Sequence, residues 1–534
     1  MLATVKKYVR AERPVGPVGH NLAQVLPNAS GAWYKQSHLV GLNVLLVNAA
    51  MLSAANGYET SMIFGFLALP EWDEFMGGPS GSWLGFIIAI QSLSSFVVYP
   101  LVAWTANRWG RKPGIYIGYF FLLVGAFLQG FTPNSAGFII SRALLGQPGA
   151  WWSGLAPLLI TELAYPTHRA FFTSLYECNW YIGSILAAWV TYGTRSYGSN
   201  WVWRIPSFVQ LAIPIALLPG LFLIPESPRF LVSKGKLERA RQILTKYHTL
   251  GDEKSPLIDF EISEIERAIE LEHKIRQNTS YLDLFRTPAN RYRAFLSITV
   301  GIFSHWNGIE VVTYYLSLVL DTAGITDVTR QTLINACLQI WGFIFAIVGA
   351  LSVDKTGRRP LWLLGAAGML FSFMVISGLT GGFARHGDEA VGIAVIPFLF
   401  VYNAFYAAGV PPLMLTYVTE MWPYNLRSRG LALTQQCILL ATFFNVIVNP
   451  IALGAIGWKY YLVFVAMLVI ILITVYLFYP ETKGLSLEEV AIIFDGKKAR
   501  VIAEGTVATN DSSGVAGDEL VQSPSGDGHL KSHM

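Results

Sequence analysis

Glu59 is the one charged residue in an apolar run from about Leu39 to Leu67, set in the stretch A-A-N-G-Y-E-T-S at 54–61. A carboxylate inside a bilayer costs roughly 2.5–3.5 kcal/mol on insertion scales, so a chain that keeps one uses it. Arg142 is a matching cation, the sole charge between Asn134 and Thr161. A carboxylate beside a guanidinium can take up and release a proton, with burial and the neighbouring charge setting the balance. The alternative is a structural ion pair that never titrates. Glu177, alone in charge between Ala170 and Thr194, and Glu310 in a further apolar run add two more intramembrane acids, and His305 stands five residues before Glu310. Three carboxylates beside one guanidinium cannot all stay ionised in a low-dielectric cavity. Some are protonated, or a substrate brings positive charge.

The runs that carry these residues decide the class. The 534 residues are 53% hydrophobic and only 13% charged, whereas a soluble chain is about 25% charged. Runs of spanning length lie near 39–67, 82–106, 113–133, 135–161, 171–193, 205–224, 294–320, 331–353, 361–381, 390–418, 430–455 and 460–479. The expectation is an all-α membrane protein with twelve transmembrane helices in two six-helix halves. Its segments would be 1–38, a polar N-terminal stretch; 39–224, the first bundle; 225–293, a linker; 294–480, the second bundle; and 481–534, a tail disordered after about 497. In the linker, Leu237, Ala240, Leu244 and Tyr247, then Ile258, Ile262, Ile265 and Ile269, recur at helical spacing.

One set of loops carries Arg108, Arg111, Lys112, Arg169, Lys355, Arg358, Arg359, Arg427 and Arg429, and the opposite set carries Glu71, Asp73, Glu74, Asp321, Asp327, Asp388 and Glu389. The positive-inside rule makes the basic side, the linker and both termini cytoplasmic. The sequons at Asn28, Asn278 and Asn510 fall on that side and would stay unglycosylated. Cys178, Cys337 and Cys437 fall in apolar runs without CxxC or Cys/His spacing, so neither a disulfide framework nor a metal site is indicated. The net charge of +4, spread over loops, argues against a nucleic-acid partner. No basic-then-apolar leader with a cleavage site is visible, and the first helix would serve as the insertion signal.

An internal repeat supports the two halves. N-R-W-G-R-K-P at 107–113 returns as D-K-T-G-R-R-P at 354–360, T-E-L-A-Y-P-T-H-R at 161–169 as T-E-M-W-P-Y-N-L-R at 419–427, and P-E-S-P-R at 225–229 as P-E-T-K-G at 480–484. A parallel duplication of six helices is the economical explanation, with a substrate site near midplane between the halves.

Together G-Y-E-T, G-R-K and G-R-R, P-E-S-P-R-F, G-x-x-x-x-x-Y-Y-L and P-E-T-K-G resemble the sugar porter family of the major facilitator superfamily, from about residue 39 to 495. S-N-W-V-W-R-I-P at 199–206 and G-W-K-Y-Y at 457–461 look like the fungal branch of lactose, cellodextrin and hexose permeases. The resemblance implies sugar transport by alternating access at the plasma membrane, with the bilayer, a mono- or disaccharide and a proton as partners and no cofactor. Glu59 would carry the proton, in place of the family's Asp, and Arg142 would modulate it. The family's Q-Q-L-x-G-I-N-x-x-x-Y-Y falls on Ser304, His305, Glu310, Tyr314 and Tyr315, which makes these five residues substrate-binding candidates, along with Glu177 or Asn179 and Asn445. Alone, His305 reads as an interhelical histidine. Gln435 and Gln436 would face the cavity or another helix. Leu415 stands where many members have tryptophan, and Tyr402, Tyr406 or Trp306 could supply a stacking face.

At the loop ends, Arg108, Arg111 and Lys112 with Glu162 and Arg169, and Asp354, Arg358 and Arg359 with Glu420 and Arg427, would form charged latches that hold an outward-open state. The plain alternative is ordinary loop charge. Asn107 stands where the family has Asp, which would weaken the first latch. Three rivals remain: an uncoupled facilitator, a carrier of a cationic molecule, and a sugar sensor. An enzyme is disfavoured, since no nucleophile–base pair, P-loop or metal-spaced cluster is present.

Overall fold

The structure is a computed structural model that describes residues 33–278, 280–423, 426–483, 490 and 493–495. Most of the first 38 residues, the sequons at Asn28 and Asn510, and the tail after 497 lie outside them. All twelve apolar runs are helical, and we number the spanning helices α1–α12. The first half contains α1 (Ser37–Phe66), α2 (Gly81–Arg108), α3 (Arg111–Phe131), α4 (Ser135–Leu163), α5 (Arg169–Thr194) and α6 (Trp201–Leu223). The second contains α7 (288–322), α8 (Val328–Thr356), α9 (Arg358–His386), α10 (Glu389–Met421), α11 (Arg427–Ile456) and α12 (Tyr461–Phe478).

Eight helical stretches among the described residues are long and apolar enough to cross a membrane, and one of them, Arg427–Phe478, contains both α11 and α12. The helices missing from that set are α4, α5 and α7. They carry Arg142, Glu177, His305 and Glu310. α4 and α5 are long enough but less apolar, as befits helices facing a polar interior rather than lipid, whereas α7 is divided into shorter helices, the longest of 16 residues.

Close packing in the first half depends on missing side chains. A Cβ on Gly183 of α5 would collide with the Ala54 carbonyl oxygen of α1, and one on Gly57 of α1 with the Trp180 carbonyl oxygen of α5. The two helices therefore meet backbone to backbone, as small residues allow in membranes. Between the halves, Gly85 of α2 lies against the Ile447 backbone of α11.

α7 is broken. Helix Pro288–Phe303 stops, Gly308 adopts φ 103°, and helix resumes at Ile309–Tyr314. Asn307 holds the break: its Nδ2 donates to the carbonyls of Phe303 and Ser304, and its Oδ1 accepts from the Ile309 amide at 3.0 Å. The Tyr402 hydroxyl of α10 donates to it as well. Irregular backbone at membrane depth is tolerated where side chains satisfy the freed groups, and here they do.

In the linker, helices Leu237–His248 and Pro256–Asn278 bury Ala240, Leu244, Ile258 and Ile262 with Leu231 in a small core. Leu237, grouped with that face by spacing, is instead exposed at the first turn. Tyr247 and Ile243 turn to the first bundle's own core.

Candidate functional site

Glu59 and Arg142 are both fully buried, at 0% and 1% exposure. The two do not meet side chain to side chain. Gln91 of α2 stands between them: its Nε2 donates to Glu59 Oε1 at 2.8 Å, and its Oε1 accepts a short hydrogen bond from Arg142 Nη2. Arg142 also points Nη1 at the Glu59 carbonyl oxygen, 3.5 Å away. An amide donates at one end and accepts at the other, so Gln91 relays the interaction that a direct pair would have made. Glu59 Oε2 and Arg142 Nε have no protein partner among the described residues. Gln91 was missed in the sequence; a lone amide in the run 82–106 was its only signal.

The seam between the halves shows where the cavity opens. Glu177, Tyr181 and Ser184 follow one stripe of α5, at i, i+4 and i+7. Ser184 donates to Gln339 of α8 at 2.7 Å, and Tyr181 packs on Phe343 with ring centroids 6.2 Å apart. Glu177, nearest the basic face, is exposed. Toward the acidic face the halves touch again: Phe64 of α1 meets Tyr314 of α7 edge-on at 4.5 Å, and Arg195 Nε donates to Thr329 Oγ1. The halves thus meet toward the acidic loops.

In the second half, His305 Nδ1 lies 2.7 Å from Glu310 Oε1 and 3.0 Å from the Thr442 hydroxyl of α11. Asn445 Nδ2 donates to the His305 carbonyl, a group that the break in α7 had freed. Glu310 Oε2 has no protein partner among the described residues. His305, Glu310 and Asn445 therefore form one cluster, with Thr442 as a member that sequence reasoning missed. Ser304 is placed differently: fully buried, its hydroxyl donates to the Gly301 carbonyl of its own helix. Tyr315 is also fully buried and donates to the Val446 carbonyl at 2.6 Å, which fastens α7 to α11. Tyr314 serves the contact with Phe64. Asn179 is buried with Nδ2 unpartnered among the described residues. Of the aromatic candidates, Tyr402 braces the α7 break, Trp306 stacks on Phe444 at 5.3 Å, and Tyr406 is half-buried.

The loop charges are arranged by the repeat. Arg111 pairs with Glu162 at 2.7 Å, and Arg358 with Glu420 at 2.8 Å. Each pair joins helices of one half. Glu226 and Glu481, from the P-E-S and P-E-T repeats, were missed as partners. The Glu226 carboxylate accepts from the backbone amides of Arg111 and Lys112, both at 3.1 Å, and that of Glu481 from Arg358 and Arg359, both at 3.0 Å. Each acid thus caps a helix that starts after a glycine at positive φ, Gly110 (104°) or Gly357 (101°), and meets the positive end of its dipole. Lys112 Nζ donates to the Ile224 carbonyl and Arg359 to that of Tyr476. Arg108 lies over Trp104, and Arg427 reaches the Trp422 carbonyl. Arg169 approaches Glu261 of the linker at 3.5 Å rather than Glu162, because the linker helices dock beside it. The Asp354 side chain lies outside the described residues.

His248 completes that docking. Its Nδ1 lies 2.7 Å from Glu261 Oε2, and its Nε2 3.1 Å from the Leu163 carbonyl at the end of α4. Nearby, Tyr165 is pushed up to about 12 by burial and by Glu261, and His168 is held below the usual histidine value by burial and by His248.

Two repeated six-helix halves around a central cleft, with buried charge in the first half and a broken helix in the second, define a multi-pass membrane transporter of the major facilitator fold. Residues 45–494 match the Sugar (and other) transporter family, and the chain belongs to it. It is similar to high-affinity glucose transporter 1 of Candida albicans, 27% identical over 82% of this chain and 83% of that protein. It is also similar to the low-affinity glucose transporter HXT3 of Saccharomyces cerevisiae, 26% identical over 84% and 82%. Among solved structures, the inward-open xylose transporter XylE from E. coli superposes with TM-score 0.70 at 23% identity, covering 85% of this chain and 100% of that one. The proton:xylose symporter XylE bound to 6-bromo-6-deoxy-D-glucose does so with TM-score 0.66 at 24% identity, covering 85% and 99%.

Proposed function

We propose that the protein moves a mono- or disaccharide across the membrane together with a proton, by alternating access of the central cleft. The observation that carries this reading is the buried Glu59–Gln91–Arg142 chain beside the cleft. A carboxylate with one oxygen unpartnered and a guanidinium held one amide away can exchange a proton without losing every partner. The cleft supplies hydroxyl-binding groups from both halves: Glu177 from α5 and His305 from α7, with Glu310 and Asn445 behind His305, while Asn179 is buried on the α5 face that meets α1. The positive-inside rule supports a cytoplasmic basic face, linker and termini; on that orientation the closed acidic side faces outward and the described conformation is inward-open, with the plasma membrane as the membrane of residence. The relatives named for glucose support a hexose among the substrates.

A second reading has its own observation: Glu177 is exposed in the cleft without an ion-pair partner among the described residues. That favours a substrate bearing an amine. Accumulation of labelled D-glucose, D-xylose, lactose and D-glucosamine by cells expressing the protein separates the two. Uptake of a neutral sugar supports the first reading; uptake of glucosamine alone replaces it with the second.

A further inference from the structure

We propose that His305 and Glu310 form a second proton-binding site, in the second half, in which Glu310 fixes the imidazole and Nε2 of His305 takes up a proton as substrate binds. The inference rests on the transport reading above for the identity of that substrate.

The geometry fixes the tautomer. An ionised carboxylate only accepts, so the 2.7 Å contact with Glu310 Oε1 places the ring proton on Nδ1. Nε2 is then the free lone pair, and it has no hydrogen-bond partner among the described residues. The His305 side chain keeps 19% of its surface exposed while Glu310 keeps 3%. The buried acid therefore stands behind a histidine that is accessible from the cleft. Around the dyad, the titratable groups are Tyr314 and Tyr315 on α7, which face Glu310, and Tyr402 and Tyr406 on α10. From α11 only the uncharged Thr442 and Asn445 reach it. Arg142 of the first half faces Tyr314 rather than the dyad.

Charge then links the proton to the substrate. With His305 neutral and Glu310 ionised the dyad carries one negative charge, and Glu310 Oε2 has no donor among the described residues. Filling and closing the cleft removes water from that charge, which is costly for an unpaired ion. A proton taken from cleft water onto Nε2 makes a neutral imidazolium–carboxylate pair, and Nε2–H becomes a donor to a substrate hydroxyl. By reciprocity, the proton tightens substrate binding as much as the substrate tightens proton binding.

The test uses the full-length protein in detergent micelles with 15N-labelled imidazole rings, the His305 resonance being assigned by its loss in His305→Gln or, should that variant fail to fold, in His305→Asn. The expected result is a neutral ring with its proton on Nδ1 in the substrate-free protein, a second ring proton on Nε2 when D-glucose is added, and a mixture of tautomers in Glu310→Gln. A neutral ring protonated on Nε2, or a tautomer unchanged by Glu310→Gln, overturns the proposal. In Glu59→Gln, which removes the first proton site, D-glucose affinity should fall as pH rises, approaching about tenfold per pH unit for one linked proton, and His305→Gln should flatten that slope. A slope of zero in Glu59→Gln alone overturns the coupling. Silence toward every sugar would sink the transport reading, while the tautomer measurement still decides the dyad.

Discussion

A carboxylate and a guanidinium in a low-dielectric interior are costly apart and only break even together, so what joins them matters as much as the pair. Here Gln91 joins them. Gln91→Leu would leave Glu59 Oε1 and Arg142 Nη2 each without its partner, at about 1–3 kcal/mol per orphaned group. The expected outcome is a lower melting temperature in micelles together with fewer protons moved per substrate, read as pH change on adding substrate to cells. Unchanged proton movement would mean that Gln91 is only packing. Glu59 and Arg142 were legible because each is alone in an apolar run. Gln91 was not, since a single amide carries no charge signal and its role depends on α2 crossing α1 and α4. Glu226 and Glu481 lay in recognised repeats, yet their partners are backbone amides, which side-chain patterns do not reveal.

At the scale of elements, hydrophobic runs located every spanning helix to within several residues, and helical spacing found the linker helices. The break in α7 was less visible, because Asn307 and Gly308 look ordinary until Tyr402 and the freed carbonyls surround them. Contact between α1 and α5 needs glycine on both sides. Gly183→Ala should therefore cost about 1–3 kcal/mol through overpacking, seen as a fall in melting temperature, whereas Gly193→Ala, where an added Cβ meets nothing within 4 Å, should leave the melt unchanged. The loop between α4 and α5, where the linker docks, contributes a pH dependence of known sign. His168 binds its proton more weakly in the folded protein than when unfolded, so its contribution is present above about pH 6.5 and lost as pH falls through that range. The melting temperature should drop between pH 7 and pH 5, and His168→Gln should reduce that drop. An identical drop in the variant would assign the effect to other groups.

For the whole molecule, the two halves are alike in their loop latches and unlike in their interiors. Arg111–Glu162 and Arg358–Glu420, each with a capping glutamate, occupy matching places in the two halves, while among the described residues Glu59–Gln91–Arg142 has no counterpart in the second half, which carries the broken helix and the His305–Glu310 cluster instead. Duplication accounts for the shared scaffold, and the divergence leaves the Glu59–Gln91–Arg142 chain in one half and the His305–Glu310 cluster in the other. Alternating access then needs only the seam to rock: Phe64–Tyr314 and Arg195–Thr329 part as the basic ends approach. The most direct test of this account is the pH of a weakly buffered suspension of cells expressing the protein, followed while D-glucose, D-xylose or lactose is added, with Glu59→Gln alongside. The account predicts that at least one sugar makes the medium more alkaline, and that the variant moves fewer protons for each molecule of that sugar taken up. Accumulation of labelled sugar with no pH change in the unaltered protein would contradict it, leaving Glu59, Gln91 and Arg142 as structure alone.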